Sequence, residues 1–376
     1  MLRIAIVGCG KIADQHVQAI RRIAGCQIVS LCDQEILMAR QLGERFGISK
    51  CFSDIATVLE QTSPDVVHIT TPPQGHYSLA KSCIESGAHV YLEKPFTVTA
   101  EEAGSLVELA KSRGLKITAG HNYQFTLEML EMRRLLEQGF LGGKPVHMES
   151  HYAYDLDDIS YVRPILGSRH HWVRLLPGQL LHNVISHGIA RLAEFLDDDL
   201  TDIVARAHQS AKLQMLQGEE VLDELRVLIR DRSGTTAFFC FSTQIKPGLS
   251  QFHICGPRNS MLVDQTSGSV IQNKKRNNKS YLTYFLPPLL SAREHLRNVR
   301  RNIAEFAGQK LYQDYGMTEL MRRFYQSILL KTPPPIPYRE ILLTARIMEE
   351  IFSQVHPANL PRIDLPNIVG RVEEEF

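Results

Sequence analysis

Leu2-Arg3-Ile4-Ala5-Ile6-Val7 opens the chain as a short apolar run bounded by glycine, too short for a helix and apolar enough for a strand buried on both faces. The pattern returns at Cys26 to Cys32, Asp65 to Ile69, Ala88 to Leu92 and Leu115 to Ala119, with a shorter piece at Cys51-Phe52. Helical periodicity fills the gaps: after Ala13 through Ile20, Glu35 to Phe46, Asp54 to Glu60, Gln74 to Glu85 and Glu101 to Ser112. Thr99 followed by Glu101 and Glu102 is a helix-start signal, and Thr70-Thr71-Pro72-Pro73 breaks the third long strand. Strand and helix in alternation predict a parallel, doubly wound sheet, whose ligands lie beyond the strand C-termini. The rhythm changes near Asn122, which places a domain boundary there. Helix is expected to Glu137, a glycine turn at Gly139 to Gly143, strand over Lys144 to Tyr154, and one helix from Pro177 to about Phe195. Successive strands follow from Thr201 to Ile271, with Asp231-Arg232-Ser233-Gly234 as a hairpin turn. Three helices close the chain, at Ala292 to Ala307, Met317 to Leu330 and Tyr338 to Phe352.

Composition narrows the function classes. At 376 residues two cores are the default, and a formal charge of +1 implies neither nucleic acid nor an acidic membrane as partner. The seven cysteines are scattered, odd in number and never spaced C-x-x-C, as expected of buried thiols in a reducing compartment. The first strand begins almost at Met1, and no apolar run approaches membrane-spanning length, so the expectation is a cytoplasmic protein without a transmembrane segment.

Chemistry gathers at the strand ends. Gly8-Cys9-Gly10-Lys11-Ile12-Ala13 is a G-x-G-x-x-A turn between strand and helix, the context a dinucleotide fingerprint requires. Gly8 permits the tight turn, Gly10 lets backbone approach a pyrophosphate, and Ala13 lets helix pack close to strand, with the helix N-terminal amides facing the phosphates. Asp33 ends the second strand, where an acid accepts ribose hydroxyls or caps the next helix. Its carboxylate repels a 2′-phosphate and no Arg follows, so NAD is favoured over NADP. Thr70, Thr71, Pro72, His76, Glu93, Lys94 and Asn122 fall at the same edge. A Lys at the end of a buried strand keeps its charge only beside an acid, a developing oxyanion or water, so Lys94 reads either as half of an ion pair or as a catalytic cation.

Gly8-x-Gly10-x-x-Ala13-x-x-His16-x-x-Ala19, Thr71-Pro72-x-x-x-His76-x-x-x-Ala80, Gly87-x-His89-Val90-x-x-Glu93-Lys94-Pro95 and Glu102-Ala103 together resemble the glucose-fructose oxidoreductase / inositol dehydrogenase / MocA family. The resemblance covers the first third of the chain. It implies an α/β protein: an N-terminal Rossmann dinucleotide-binding domain over 1–122, and a C-terminal α+β domain over 123–376 with an open, mostly antiparallel sheet. It also implies an active site between them, Lys94 orienting a substrate hydroxyl beside the nicotinamide, a cis Lys94-Pro95 bond, and a homodimer or homotetramer paired through the C-terminal sheet. Where the family usually has Arg, this chain has Gln124.

On the predicted helix from Pro177, Asn183 and His187 stand four residues apart on one face. The family pattern there is an acid, a Gly, a His and a further acid; this chain matches the His and has Asn183, Ile185 and Ala190 at the other places. A neutral His187 accepts a hydroxyl proton as hydride leaves carbon, Lys94 stabilises the alkoxide, and Asn183 only hydrogen-bonds. Six histidines fall between 147 and 187, but no spacing among them completes a metal-ligand set. Tyr152, Tyr154, Arg163, His171 and Trp172 are pocket candidates suited to a sugar. Leu296, Val299, Ile303 and Phe306 share one face of the helix at 292–307, with Arg293, Arg297, Arg300 and Arg301 largely elsewhere. That helix reads as packed on its own sheet, or as touching anionic lipid, a lipid-linked sugar or a partner subunit. The leading expectation is an NAD-dependent dehydrogenase for a secondary alcohol or ketone of a sugar, cyclitol or nucleotide-sugar. Its alternatives are NAD-dependent glycoside cleavage by redox elimination and a non-catalytic NAD or sugar sensor.

Overall fold

A computed structural model describes residues 1–155, 170–211, 213–214, 221–275, 284–312 and 314–355. Arg163, with the rest of residues 156–169, and the acidic stretch Glu373 to Glu375 lie outside the described residues. Six parallel strands, β1 (Leu2–Val7), β2 (Cys26–Cys32), β3 (Cys51–Phe52), β4 (Val66–Ile69), β5 (His89–Leu92) and β6 (Ile117–Ala119), form a sheet of order β3-β2-β1-β4-β5-β6. This is the doubly wound order with a switch point between β1 and β4, where the two halves diverge and leave a crevice at the strand C-termini. Helices α1 (Lys11–Arg21), α2 (Ile36–Phe46), α3 (Ile55–Thr62), α4 (His76–Glu85) and α5 (Ala100–Ser112) connect the strands. Their starts follow local chemistry: Asp54 accepts from Thr57 N and Thr99 from Glu102 N as N-caps.

After α6 (Leu127–Glu137) a seven-stranded sheet runs β13-β12-β11-β7-β10-β9-β8. Its strands are β7 (His147–Ala153), β8 (Leu200–His208), β9 (Glu224–Asp231), β10 (Thr236–Ser242), β11 (Ser250–Cys255), β12 (Asn259–Asp264) and β13 (Ser269–Lys274). Only β7 with β10 is parallel, so the sheet is mixed and mostly antiparallel. The fold is α/β, a Rossmann sheet followed by a mixed-sheet domain.

The helix expected from Pro177 to Phe195 is two helices, α7 (Gln179–Val184) and α8 (Ser186–Ala193), joined at Ile185. Gly188 N bonds back to Ile185 O, tightening the turn, and Gly188 lies so near Phe239 that a Cβ would stand 2.2 Å from the ring. Three helices end the described chain: α9 (Leu286–Ala307) against β13, then α10 (Tyr315–Leu330) and α11 (Tyr338–Val355). Met317, Leu320, Met321, Phe324 and Tyr325 of α10 belong to the core of the first sheet, far from them in sequence. None of the helices among the described residues is long and apolar enough to cross a membrane.

Candidate active site and cofactor cleft

A cleft of about 980 Å³ lies along the strand C-termini of the first sheet. Gly8, Gly10, Lys11 and Ile12 line it from the β1–α1 turn, Asp33 from the end of β2, Thr70, Thr71 and Pro72 from the end of β4, and Glu93 and Lys94 from the end of β5. Tyr154, Trp172 and Asn183 face them from the second half of the chain, and Gln74 Nε2 donates to Trp172 O at 2.8 Å across the gap. Gly8 has φ +96°, and a Cβ there would stand 2.7 Å from Thr71 N, so no other residue fits. A Cβ at Gly10 would meet no protein atom within 4 Å; on the cleft lining it would take space a ligand uses. The Asp33 carboxylate is fixed by two backbone donors, Cys9 N at 2.7 Å and Glu35 N at 2.9 Å. These features fit a dinucleotide: a glycine turn, the N-terminus of α1 at Lys11 and Ile12 on the cleft wall, and an oriented acid one strand away.

Four expected site residues do not line this cleft. Ala13 is fully buried between α1 and the sheet. His76 bridges two loops, with Nε2 2.8 Å from Thr71 O and Nδ1 3.0 Å from Pro95 O. Asn122 opens a short 3-10 turn, Asn122–Phe125, and His187 packs flat on Tyr123 with ring centroids 4.2 Å apart.

Glu93 and Lys94 sit at the centre. The Lys94-Pro95 bond is cis. Lys94 Nζ donates to the backbone carbonyl of Asn183 at 2.9 Å and reaches its Oδ1 at 3.5 Å. The break at Ile185 explains this contact, because a continuous helix would tie up the Asn183 carbonyl with the amide of residue 187. Burial lowers the Lys94 pKa, opposed by the Glu93 charge. Burial alone would raise Glu93, but the His16 hydrogen bond and the Lys94 charge outweigh it and hold the carboxyl below its ordinary range. Gly120 makes room, since a Cβ there would lie 2.7 Å from the Glu93 carboxylate.

Behind Glu93 runs a buried chain of polar groups. His16 Nε2 is 2.9 Å from Glu93 Oε1, His16 Nδ1 is 2.9 Å from His68 Nδ1, and His68 Nε2 is 2.7 Å from the Tyr325 hydroxyl. Burial pushes His68 well below its ordinary pKa, so it is neutral, and an ionised Glu93 only accepts. One arrangement satisfies every group: Tyr325 donates to His68, His68 to His16, and His16 to Glu93. Sequence reading placed His16 only in a family pattern and passed over His68 and Tyr325. β4 is buried along its whole length, so a histidine set inside that apolar run was the available signal.

His187 is 8% exposed, and burial, with the charges of Lys94, His121 and Arg191, keeps it neutral. Its Nδ1 is buried without a hydrogen-bond partner among the described residues. His121 beside it is pushed down to about 4 by burial. Tyr154 and Trp172 line the cleft, Tyr152 is buried edge-on to Tyr123, and His171 accepts from Val173 N. Among the described residues no three His, Cys, Asp or Glu side chains are placed to hold a metal.

Residues 2–121 match the oxidoreductase family with an NAD-binding Rossmann fold, Gfo/Idh/MocA. The uncharacterized oxidoreductase YhhX of Escherichia coli (strain K12) is 38% identical over 312 residues, 82% of this chain and 83% of that one. The chain belongs to the Gfo/Idh/MocA family. Among named relatives of this family, the D-glucoside 3-dehydrogenase of Escherichia coli (strain K12) is 30% identical over 38% of this chain, and the D-apiose dehydrogenase of Paraburkholderia graminis 30% identical over 37%. The match spans only 40% and 37% of their own lengths. The WlbA dehydrogenase of Bordetella pertussis, solved with NADH and UDP-GlcNAcA, shares the Gfo/Idh/MocA fold at a TM-score of 0.74 and 16% identity, covering 95% of this chain and 96% of that one. The first sheet of this Gfo/Idh/MocA chain is therefore an NAD-binding Rossmann domain.

Proposed function

We propose that the protein is an NAD-dependent oxidoreductase that interconverts a secondary alcohol and ketone on a sugar, cyclitol or nucleotide-sugar. The observation that carries this reading is Lys94, a half-buried cation on the cleft wall whose Nζ donates to the Asn183 carbonyl within the field of the Glu93 carboxylate. NAD, when bound, supplies the two-electron acceptor for the hydride leaving carbon. Lys94 Nζ stabilises the negative charge that grows on the substrate oxygen, and the Asn183 amide orients that oxygen. His187, neutral and close enough to feel the Lys94 charge, takes the hydroxyl proton directly or through a substrate hydroxyl. Asp33 selects NAD by its charge, and the other lining residues from Gly8 to Ile12 and Thr70 to Pro72 cradle the cofactor. Tyr154 and Trp172 present flat faces to a sugar ring. Dehydrogenase-named relatives acting on glucoside and apiose support the substrate class. Subunit pairing through the C-terminal sheet is supported by exposed Val204 and Leu228, which are direct cross-strand neighbours on β8 and β9.

Lys94→Ala tests the reading on a panel of polyols, sugars and nucleotide-sugars, followed by nicotinamide absorbance. Turnover should fall at least ~1,000-fold with NADH binding retained within about three-fold. Undiminished turnover would remove Lys94 from the mechanism. Product release by the wild type with no net NADH would point instead to redox elimination, and tight NAD binding without any turnover to a sensor.

A further inference from the structure

Helix α9 is inverted. Its polar side packs on the protein and its apolar side faces out. Glu294, Arg297, Asn298 and Arg301 turn toward β13, the edge strand of the second sheet. Asn298, 3% exposed, accepts from Val270 N at 3.0 Å and donates to Val270 O at 2.9 Å, taking the place of a neighbouring strand. These bonds fix the rotation of the helix. Leu289, Leu296, Val299, Ile303 and Phe306 are left 67%, 60%, 52%, 63% and 72% exposed.

The spacing of this stripe is a heptad. Leu289, Leu296 and Ile303 recur every seven residues, and so do Ala292, Val299 and Phe306 three positions on. The stripe is narrow, bounded by Arg293 and Arg300 on one flank and by His295 and Asn302 on the other. A helix lying on lipid needs a broader apolar face, whereas a strict two-in-seven seam is what a second helix packs against. The seam is also complementary to itself when reversed: Leu289 meets Phe306, Ala292 meets Ile303, and Leu296 meets Val299, each small side chain opposite a larger one. A two-fold axis between Leu296 and Val299 generates all six contacts at once, which is a closed, isologous interface. At roughly 60–120 Å² of apolar surface per side chain, the seam and its flanking arginine stems on two copies come to about 1,000 Å², the lower bound of a specific interface.

We propose that α9 is an interface with a second copy of this chain, paired antiparallel through the Leu289-to-Phe306 seam. The pairing sets Arg293 of one copy beside Arg300 of the other, so the interface tightens as salt screens that repulsion. Adsorption to anionic lipid has the opposite dependence, weakening with salt.

Sedimentation of the full chain at about 0.05 M and about 0.5 M salt tests this, since the screening length changes several-fold between them. The wild-type assembly should hold twice as many copies as the Leu296→Glu/Ile303→Glu double variant, and the larger form should gain at high salt. Both substituted positions are on the surface, and retained NAD binding reports a folded variant. Arg293→Glu, which replaces a repulsion by an attraction in each half, should tighten the pairing roughly five-fold and reverse its salt dependence. Equal sedimentation of wild type and double variant at both salts would overturn the proposal. So would flotation of the wild type with phosphatidylserine vesicles, abolished in the double variant, at unchanged assembly size.

Discussion

His16 does not itself line the cleft, yet through its hydrogen bond it decides the charge of the residue next to Lys94. Glu93 is buried, and its carboxyl stays below the ordinary 4.5 only because His16 and Lys94 outweigh burial. A depressed carboxyl stabilises the fold above its unfolded pKa, and that contribution disappears as pH falls through the folded value. His16→Leu removes the donor, leaving burial to dominate, so the Glu93 pKa should rise and the sign of its contribution reverse. Thermal unfolding should show a loss of roughly 3–5 kcal/mol at pH about 8, shrinking at pH about 5 as Glu93 takes up a proton. A deficit independent of pH would refute the relay as the support of Glu93.

Between elements, the position where the family usually has Arg carries a measurable cost. Gln124 Nε2 lies 3.2 Å from Glu194 and 3.4 Å from Glu340 of α11, and Arg133 already forms a two-pronged pair with Glu194. Burial and the Glu194 charge push Glu340 up to about 7. A raised carboxyl binds its proton more tightly in the folded state, so stability falls as pH climbs from about 4.5 to about 7 and stays low above it. Gln124→Arg should recover up to about 3 kcal/mol at pH 8 and almost nothing at pH 5, read by denaturant unfolding. The elements themselves were legible where one period ruled. β1, β4, β5 and β6 are short, almost wholly buried runs, and the fingerprint glycine announced its turn. The break at Ile185 was not legible, because it depends on Lys94 and Phe239, one 91 residues earlier and the other on β10. Nor was the orientation of α9: periodicity finds an apolar stripe, but an unpaired edge strand drew the polar side inward.

At the scale of the molecule, the first sheet is not built from the first third alone. Tyr91 stacks with His68 and meets Phe324, Tyr325 closes the relay, and Met317 to Phe324 fill the same core. A fragment of residues 1–122 should therefore show no cooperative melt, and adding a peptide of residues 312–332 should restore one along with NAD binding. A fragment that melts sharply alone would show that α10 is dispensable. The same helix imposes a schedule on synthesis. Strand β6 ends at Ala119 and α10 begins at Tyr315, so roughly 200 residues, or about 10–40 s of translation, separate a completed sheet from the helix that covers it. During that interval the nascent sheet leaves the ribosome with the core around His68 and Tyr91 lacking Phe324 and Tyr325. The strands best suited to hold a nucleotide are thus the ones most in need of a chaperone until the last third of the chain arrives.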